Sequence, residues 1–220
     1  MIEQQFTPKE TWNTLQARLG DFSADDILQI DTAYQIAKAA HRGQEREGGE
    51  RYFEHPRAIV LILLDELHIK DAKLIIAAFL HDTPEDTAVF GNSEKIRPYS
   101  QWRNQVQERL VNTFDDKVAE MIISVTKPEV DGVEIINKQQ ASELYKKQLR
   151  GATCEAILLK MADRLHNLRT LSSCSAEKQK RKIKETKGVY FPIFQKAFEK
   201  YPVEATYLFE QMLLALDKLR

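Results

Sequence analysis

The chain has 220 residues, enough to bury a full core, and its 43% apolar and 30% charged composition with 8 Gly and 7 Pro excludes collagen-like, low-complexity and largely disordered classes. With 32 basic against 33 acidic residues the formal charge is -1, so attraction of the whole surface to nucleic acid or to an anionic membrane is excluded. Cys154 and Cys174 are the only cysteines and lack CxxC spacing, which excludes a disulfide scaffold or thiolate zinc site and fits buried or neutral thiols in a reducing compartment.

Along the chain, helical signals follow one another and no strand is predicted. Thr7, Pro8 and Glu10 supply a cap, a proline at the first helical position and a third-position glutamate, with a stop at Gly20. Ser23 opens a second helix, in which Ile27, Ile30, Tyr34, Ala37 and Ala40 recur at spacings of three and four until Gly43. The stretch 41–55 holds Gly43, Gly48 and Gly49 among alternating charges, which predicts a loop able to bring backbone close to a ligand.

Residues 56–68 and 71–82 read as two buried helices, being too long for strands and apolar on most faces. The longest apolar runs, 58–64 and 74–80, fall far short of the ~20 residues of a membrane span, and the N-terminus lacks a signal-peptide layout. A cytoplasmic protein without membrane association is therefore expected. Residues 83–100 read as irregular, followed by helices at 101–114, 115–126, 137–150, 153–171, 176–200 and 202–219, with a second loop at 127–136. No repeat, linker or composition break interrupts this series, so one all-α domain of about ten helices over 1–220 is predicted.

Two places carry costly polar groups. His55-Pro56 stands at a loop-to-helix junction, and the apolar run 74–80 ends in His81-Asp82-Thr83-Pro84-Glu85-Asp86. Carboxylates next to a buried helix are penalised unless they are paired, hydrogen-bonded or metal-bound. The hexapeptide reads equally as a solvated helix end capped by its acids or as imidazole-plus-carboxylate ligands for Mn, Fe or Zn. In 158–171, Leu158, Met161, Leu165 and Leu168 share one helical face, while Lys160, Asp163, Asn167 and Thr170 share the other. That polar face can ligate metal, hold phosphate and hydrogen-bond a base, unlike Glu/Lys solvent filler.

These segments together resemble the HD-domain hydrolase half of the RelA/SpoT alarmone enzymes. The matching residues are His41-Arg42-Gly43-Gln44 and Arg46 leading to Tyr52 and His55-Pro56; His81-Asp82 through Glu85-Asp86-Thr87; and Lys160 through Asp163-Arg164-Leu165-His166-Asn167 to Thr170-Leu171. Lys178-Gln179, Glu185-Thr186, Tyr190 and Pro192 keep the family's order, so the resemblance covers about 30–193.

The resemblance implies an HD fold and a metal, usually Mn²⁺, held by His55, His81, Asp82 and Asp163. Two imidazoles and two carboxylates leave positions for water on an octahedral ion. It further implies that Glu85 and Asp86 orient or deprotonate that water, being within reach if the turn after Asp82 stays helical. Arg46, Asn167 and Thr170 match substrate-contacting positions, with Lys160 and Arg164 as phosphate or structural partners. The implied substrate is guanosine tetra- or pentaphosphate, which loses its 3′-pyrophosphate. His41 and His166 are read as hydrogen-bonded structural histidines, and His68 as a surface residue.

The run 177–187, with six basic and two acidic residues, reads as a solvated face from which Lys178 or Arg181 could receive polyphosphate. It is too short and too poor in aromatic residues for nucleic-acid binding. A small-molecule nucleotide is the expected partner, with homo-oligomerisation left open. Three departures from the family pattern stand out. Glu47 replaces a lysine and Gly48 a serine, which weakens a tetra-anionic substrate unless Glu47 is otherwise engaged and leaves open a different nucleotide, such as an adenine alarmone, or a silent nucleotide binder. Residues 90–100 read as a lid or surface insertion. The length leaves no room for the synthetase, TGS and regulatory parts of long family members, so the chain resembles the small stand-alone hydrolases.

Overall fold

A computed structural model of the chain describes residues 12–92, 95–96, 98–128 and 138–219. Among them the architecture is all-α, with ten α-helices of five or more residues and two single α turns, besides short π and 3₁₀ segments. The predicted cap at Thr7–Glu10 lies outside the described residues; α1 spans Trp12–Gln16. Helix α2, Ala24–Ala40, begins where the Ser23 hydroxyl accepts the Asp26 amide, as the capping pattern requires. It ends before Gly43, whose φ of +80° reverses the chain.

Helix α3 spans Glu54–Leu61 and runs into a π turn over Ile62–Glu66. It starts two residues earlier than predicted because Glu54, bonded to Arg51 and Arg57, secures the first turn. Helix α4, Ala72–Leu80, is capped by Asp71 and buried along Leu74–Leu80. The stretch 83–100 is more regular than predicted: Asp82 leads directly into α5, Thr83–Asp86, with Pro84 in its first turn, and α6 opens at Tyr99 and runs to Thr113. Phe90 is buried and the Gly91 carbonyl accepts the Trp102 indole N–H at 2.9 Å, so this part of the segment is anchored on α6; residues 93, 94 and 97 lie outside the described residues.

Helices α7 (Asp116–Val125) and α8 (Lys138–Gly151) lead to α9, Cys154–Arg169, capped by Thr153. The predicted single helix 176–200 is instead α10, Ala176–Glu185, a π turn over Thr186–Tyr190, the single turn α11, Phe191–Phe194, and a 3₁₀ segment, Gln195–Glu199. Pro192 cannot donate to the helical ladder, which accounts for a break here. Helix α12, Pro202–Asp217, closes the bundle. Among the described residues no helix is long and apolar enough to cross a membrane.

Helix α9 is the axis of the fold: it packs against α3, α4, α7 and α12, and twelve of its residues are buried, including Lys160, Asp163, Arg164 and His166. Of the polar face predicted for it, Lys160 and Asp163 are buried among protein groups, while Asn167 and Thr170 are half-buried. Both cysteines are half-buried free thiols, and the Cys154 thiol donates to the Lys196 carbonyl at 3.4 Å.

Candidate metal centre

Three core helices deliver one group each to a common point. His55 sits in the first turn of α3, His81 caps the end of α4 and Asp163 stands mid-way along α9. One ligand atom from each of His55, His81 and Asp82 lies within 4.8 Å of the other two. His55 Nε2 is 3.5 Å from Asp82 Oδ2 and 3.2 Å from Asp163 Oδ1, so Asp163 adjoins the group through His55.

The donor set fits a divalent cation on its own chemistry. His81 Nδ1 donates to the Ala78 carbonyl at 2.9 Å, which leaves Nε2 to face Asp82 Oδ1 at 3.2 Å. That Nε2 is buried and faces the Asp82 carboxylate without hydrogen-bond geometry, so its lone pair is directed where a cation shared with Asp82 would sit. Two imidazoles and two carboxylates suit a transition-metal ion, and no cysteine competes.

Electrostatics favour ionised carboxylates. Burial alone would raise the Asp82 carboxyl, but His81 and His55 outweigh it and hold it well below the usual range. Asp163 is likewise held low against burial, chiefly by the Lys160 ammonium 2.7 Å from its Oδ2. Burial lowers His81, yet Asp82 beside it prevails and lifts the ring to about 9. Any proton on Nε2 must leave before a cation binds there. His55 and His166 are both pushed down by burial.

The acidic pair after Asp82 stands on a continuous turn, since the Asp86 amide donates to the Asp82 carbonyl at 3.0 Å. The two acids differ. Glu85 accepts both the Lys127 amide and the Lys127 ammonium, each at 2.6 Å. Asp86 faces the Tyr52 hydroxyl, which also lies 2.9 Å from Asp82 Oδ2. Burial and the Asp82 charge raise the Asp86 carboxyl above its ordinary value.

The 41–55 loop folds into a tight hairpin in which the Arg46 amide donates to Glu50 and the Gly49 amide to Arg46, each at 2.8 Å. The turn needs Gly49, whose φ is +84°. It directs Arg46 onto α9, where Nη2 donates to Asn167 Oδ1 at 2.7 Å and Nη1 lies 3.2 Å from His166 Nδ1. Asn167 in turn donates to Asp163 Oδ1 at 2.5 Å.

Two residues expected at the substrate are engaged elsewhere. Arg164 stacks on the Tyr190 ring at 3.8 Å and bonds Glu185, while the Thr170 hydroxyl donates to the His166 carbonyl at 3.1 Å.

Glu47 accepts the Lys178 ammonium at 2.5 Å and the Ser175 amide at 3.3 Å, so its charge is balanced and Lys178 is engaged. Gly48 has its own reason: a Cβ there would stand 2.9 Å from Ser173 Oγ.

Residue-by-residue reading assigned no site role to Tyr52, His166, Lys127 or Gln44. Gln44 receives His41 Nδ1 at 2.7 Å and donates to the Asp86 carbonyl at 2.8 Å, while the His41 ring stacks on Tyr52. The three-residue spacings His41–Gln44 and Tyr52–His55 were the available signals. Lys127 had none, lying 42 residues from Glu85.

The family model described as an HD domain matches residues 33–197, three quarters of the chain. The chain belongs to the HD domain family. A GTP pyrophosphokinase from Streptomyces coelicolor is 38% identical over 168 residues, covering 76% of this chain and 18% of that protein. A guanosine-3′,5′-bis(diphosphate) 3′-pyrophosphohydrolase from Haemophilus influenzae is 37% identical over 72% of this chain and 21% of its own length. The bifunctional (p)ppGpp synthase/hydrolase SpoT of Escherichia coli is 34% identical over 77% and 22%. The chain thus spans about a fifth of these curated relatives. Among solved structures, one described as a metazoan ortholog of SpoT that hydrolyzes ppGpp aligns at a TM-score of 0.57 and 24% identity, covering 90% of this chain and 94% of that one. That likeness extends the shared all-α HD fold over most of the chain.

Proposed function

We propose that this HD domain is a Mn²⁺-dependent hydrolase that removes the 3′-pyrophosphate of guanosine tetra- and pentaphosphate, leaving GDP or GTP. The observation that carries the reading is the approach of His55, His81 and Asp82 ligand atoms to within 4.8 Å of one another in the core, with Asp163 alongside. The similarity to pyrophosphohydrolases of this substrate supports the nucleotide assignment.

His55, His81, Asp82 and Asp163 would hold the cation, which when bound supplies Lewis acidity toward phosphoryl oxygens and makes water more acidic. Water adds to phosphorus as the bond to the ribose 3′-oxygen breaks, and that oxygen takes up a proton. Asp86, with a carboxyl raised by burial and by the Asp82 charge and with its contact to Tyr52, suits proton transfer. Glu85, charge-balanced by Lys127, orients rather than abstracts. Arg46 and Asn167 present hydrogen-bonding groups for the nucleoside, and Lys160 keeps Asp163 ionised. Thr170, whose hydroxyl donates to the His166 carbonyl, caps the helix that carries Asn167. Arg164 acts through Tyr190 and Glu185 as a structural partner.

The Glu47 substitution does not favour another substrate, because its carboxylate is paired with Lys178. Incubation of the chain with Mn²⁺ and ppGpp should yield GDP and pyrophosphate in equal amounts. Hydrolysis of adenine alarmones but not of ppGpp, or no hydrolysis of any nucleotide in a panel, would overturn the assignment.

A further inference from the structure

We infer that His166 is a positioning residue whose unprotonated Nδ1 keeps a proton on Nδ1 of His55, leaving His55 Nε2 for a cation and tying that ligand to Arg46. The inference rests on the proposed role of His55 as a metal ligand.

One nitrogen decides the arrangement. Arg46 Nη1 lies 3.2 Å from His166 Nδ1, and a guanidinium carries only donors. A proton on His166 Nδ1 would set N–H against N–H, so this nitrogen is an acceptor and the ring proton sits on Nε2. His55 Nδ1 lies 2.7 Å from the same His166 nitrogen. Two bare lone pairs at that distance repel, so His55 Nδ1 is the donor. His55 Nε2, facing Asp163 and Asp82, then carries either a lone pair or a displaceable proton. In both states the Nδ1 contact is unchanged.

The same guanidinium fixes a second ligand. Arg46 Nη2 donates to Asn167 Oδ1, which turns the Asn167 amide nitrogen toward Asp163 Oδ1. One loop arginine therefore sets the orientation of His55 on α3 through His166 and of Asp163 on α9 through Asn167. His166 and His55 are 2% and 3% exposed, so water cannot substitute freely for either contact. Partners of this kind on metal-binding histidines carry roughly 10–100-fold in metal affinity.

Long-range ¹H–¹⁵N spectra of the full chain in EDTA, assigned with His55→Gln and His166→Asn, report which ring nitrogen is protonated. The expected pattern is a protonated Nε2 and bare Nδ1 in His166, with a protonated Nδ1 in His55. A proton on His166 Nδ1, or a bare His55 Nδ1, overturns the inference. Calorimetric Mn²⁺ titration should show about 10–100-fold weaker binding in His166→Phe. His166→Asn, whose carbonyl can accept where Nδ1 did, should recover most of it; unchanged affinity in His166→Phe overturns the inference. Should that variant not fold, the wild-type spectra alone decide. A wild-type chain that binds no Mn²⁺ overturns the metal reading itself, a result distinct from a misplaced proton.

Discussion

Substituting methionine for Lys160 strips the buried Asp163 carboxylate of its ammonium partner. The pair is 2.7 Å apart, and the two side chains are 11% and 6% exposed, so solvent screening is slight. Removing one member of a buried pair costs about 3–5 kcal/mol, because the remaining charge stays desolvated. Asp163 keeps the Asn167 bond and the nearby His55 ring, which places the expected loss at the low end, about 3 kcal/mol. For a domain of this size that is a drop of roughly 6–12 °C in melting temperature. Differential scanning calorimetry in EDTA measures it. The deficit should narrow as pH falls through the ordinary carboxylate range, since protonation removes the unpaired charge in the variant, while in the wild type Asp163 stays ionised and the unfolded chain alone takes up the proton, which lowers wild-type stability. It should also narrow on adding Mn²⁺, which supplies positive charge beside Asp163. A loss under about 1 kcal/mol in EDTA would refute the pairing argument, and a deficit unmoved by metal would remove Asp163 from the cation site.

Three further outcomes follow from particular contacts. Tyr52→Phe deletes the hydroxyl shared by Asp82 and Asp86; kcat/KM for ppGpp should fall about 10–100-fold while circular dichroism stays unchanged, and wild-type turnover would remove Tyr52 from the site. His81, lifted to about 9, stabilises the metal-free fold by an amount fully present below its ordinary value near 6.5 and lost as pH rises through about 9, so the melting temperature in EDTA should fall between pH 7 and 9.5. A melting temperature that is flat or rising across that window contradicts the pairing with Asp82. Gly48→Ser should cost about 1 kcal/mol by displacing the Ser173 hydroxyl from the Thr170 carbonyl, and adding Ser173→Ala should recover most of it; a single variant as stable as wild type would show that Gly48 is not required by packing.

Helix identity was legible wherever local chemistry is strong. Ser23, Asp71, Asp115 and Thr153 each cap a helix through their own side chains, and Gly43 reverses the chain with positive φ, all short-range effects that neighbouring residues determine. The π turns at Ile62–Glu66 and Thr186–Tyr190 were not legible, because periodicity cannot reveal an extra residue accommodated in a turn.

The amino-acid order by itself determined the all-α class and the His-Asp, loop and α9 segments that bear the donor groups, since burying a helix end in His81-Asp82 is costly without compensation. Only the tertiary structure decided which groups meet. Tyr52 bridges to Asp82 and Asp86, Lys127 engages Glu85 and Glu47 engages Lys178, while Arg164 turns to Tyr190. These partners lie 26 to 131 residues apart, and a long flexible cation reaches whichever group the packing of the helices brings near. Local sequence encodes the propensity to present a charge, whereas its partner is set by the relative placement of helices that bury a shared core.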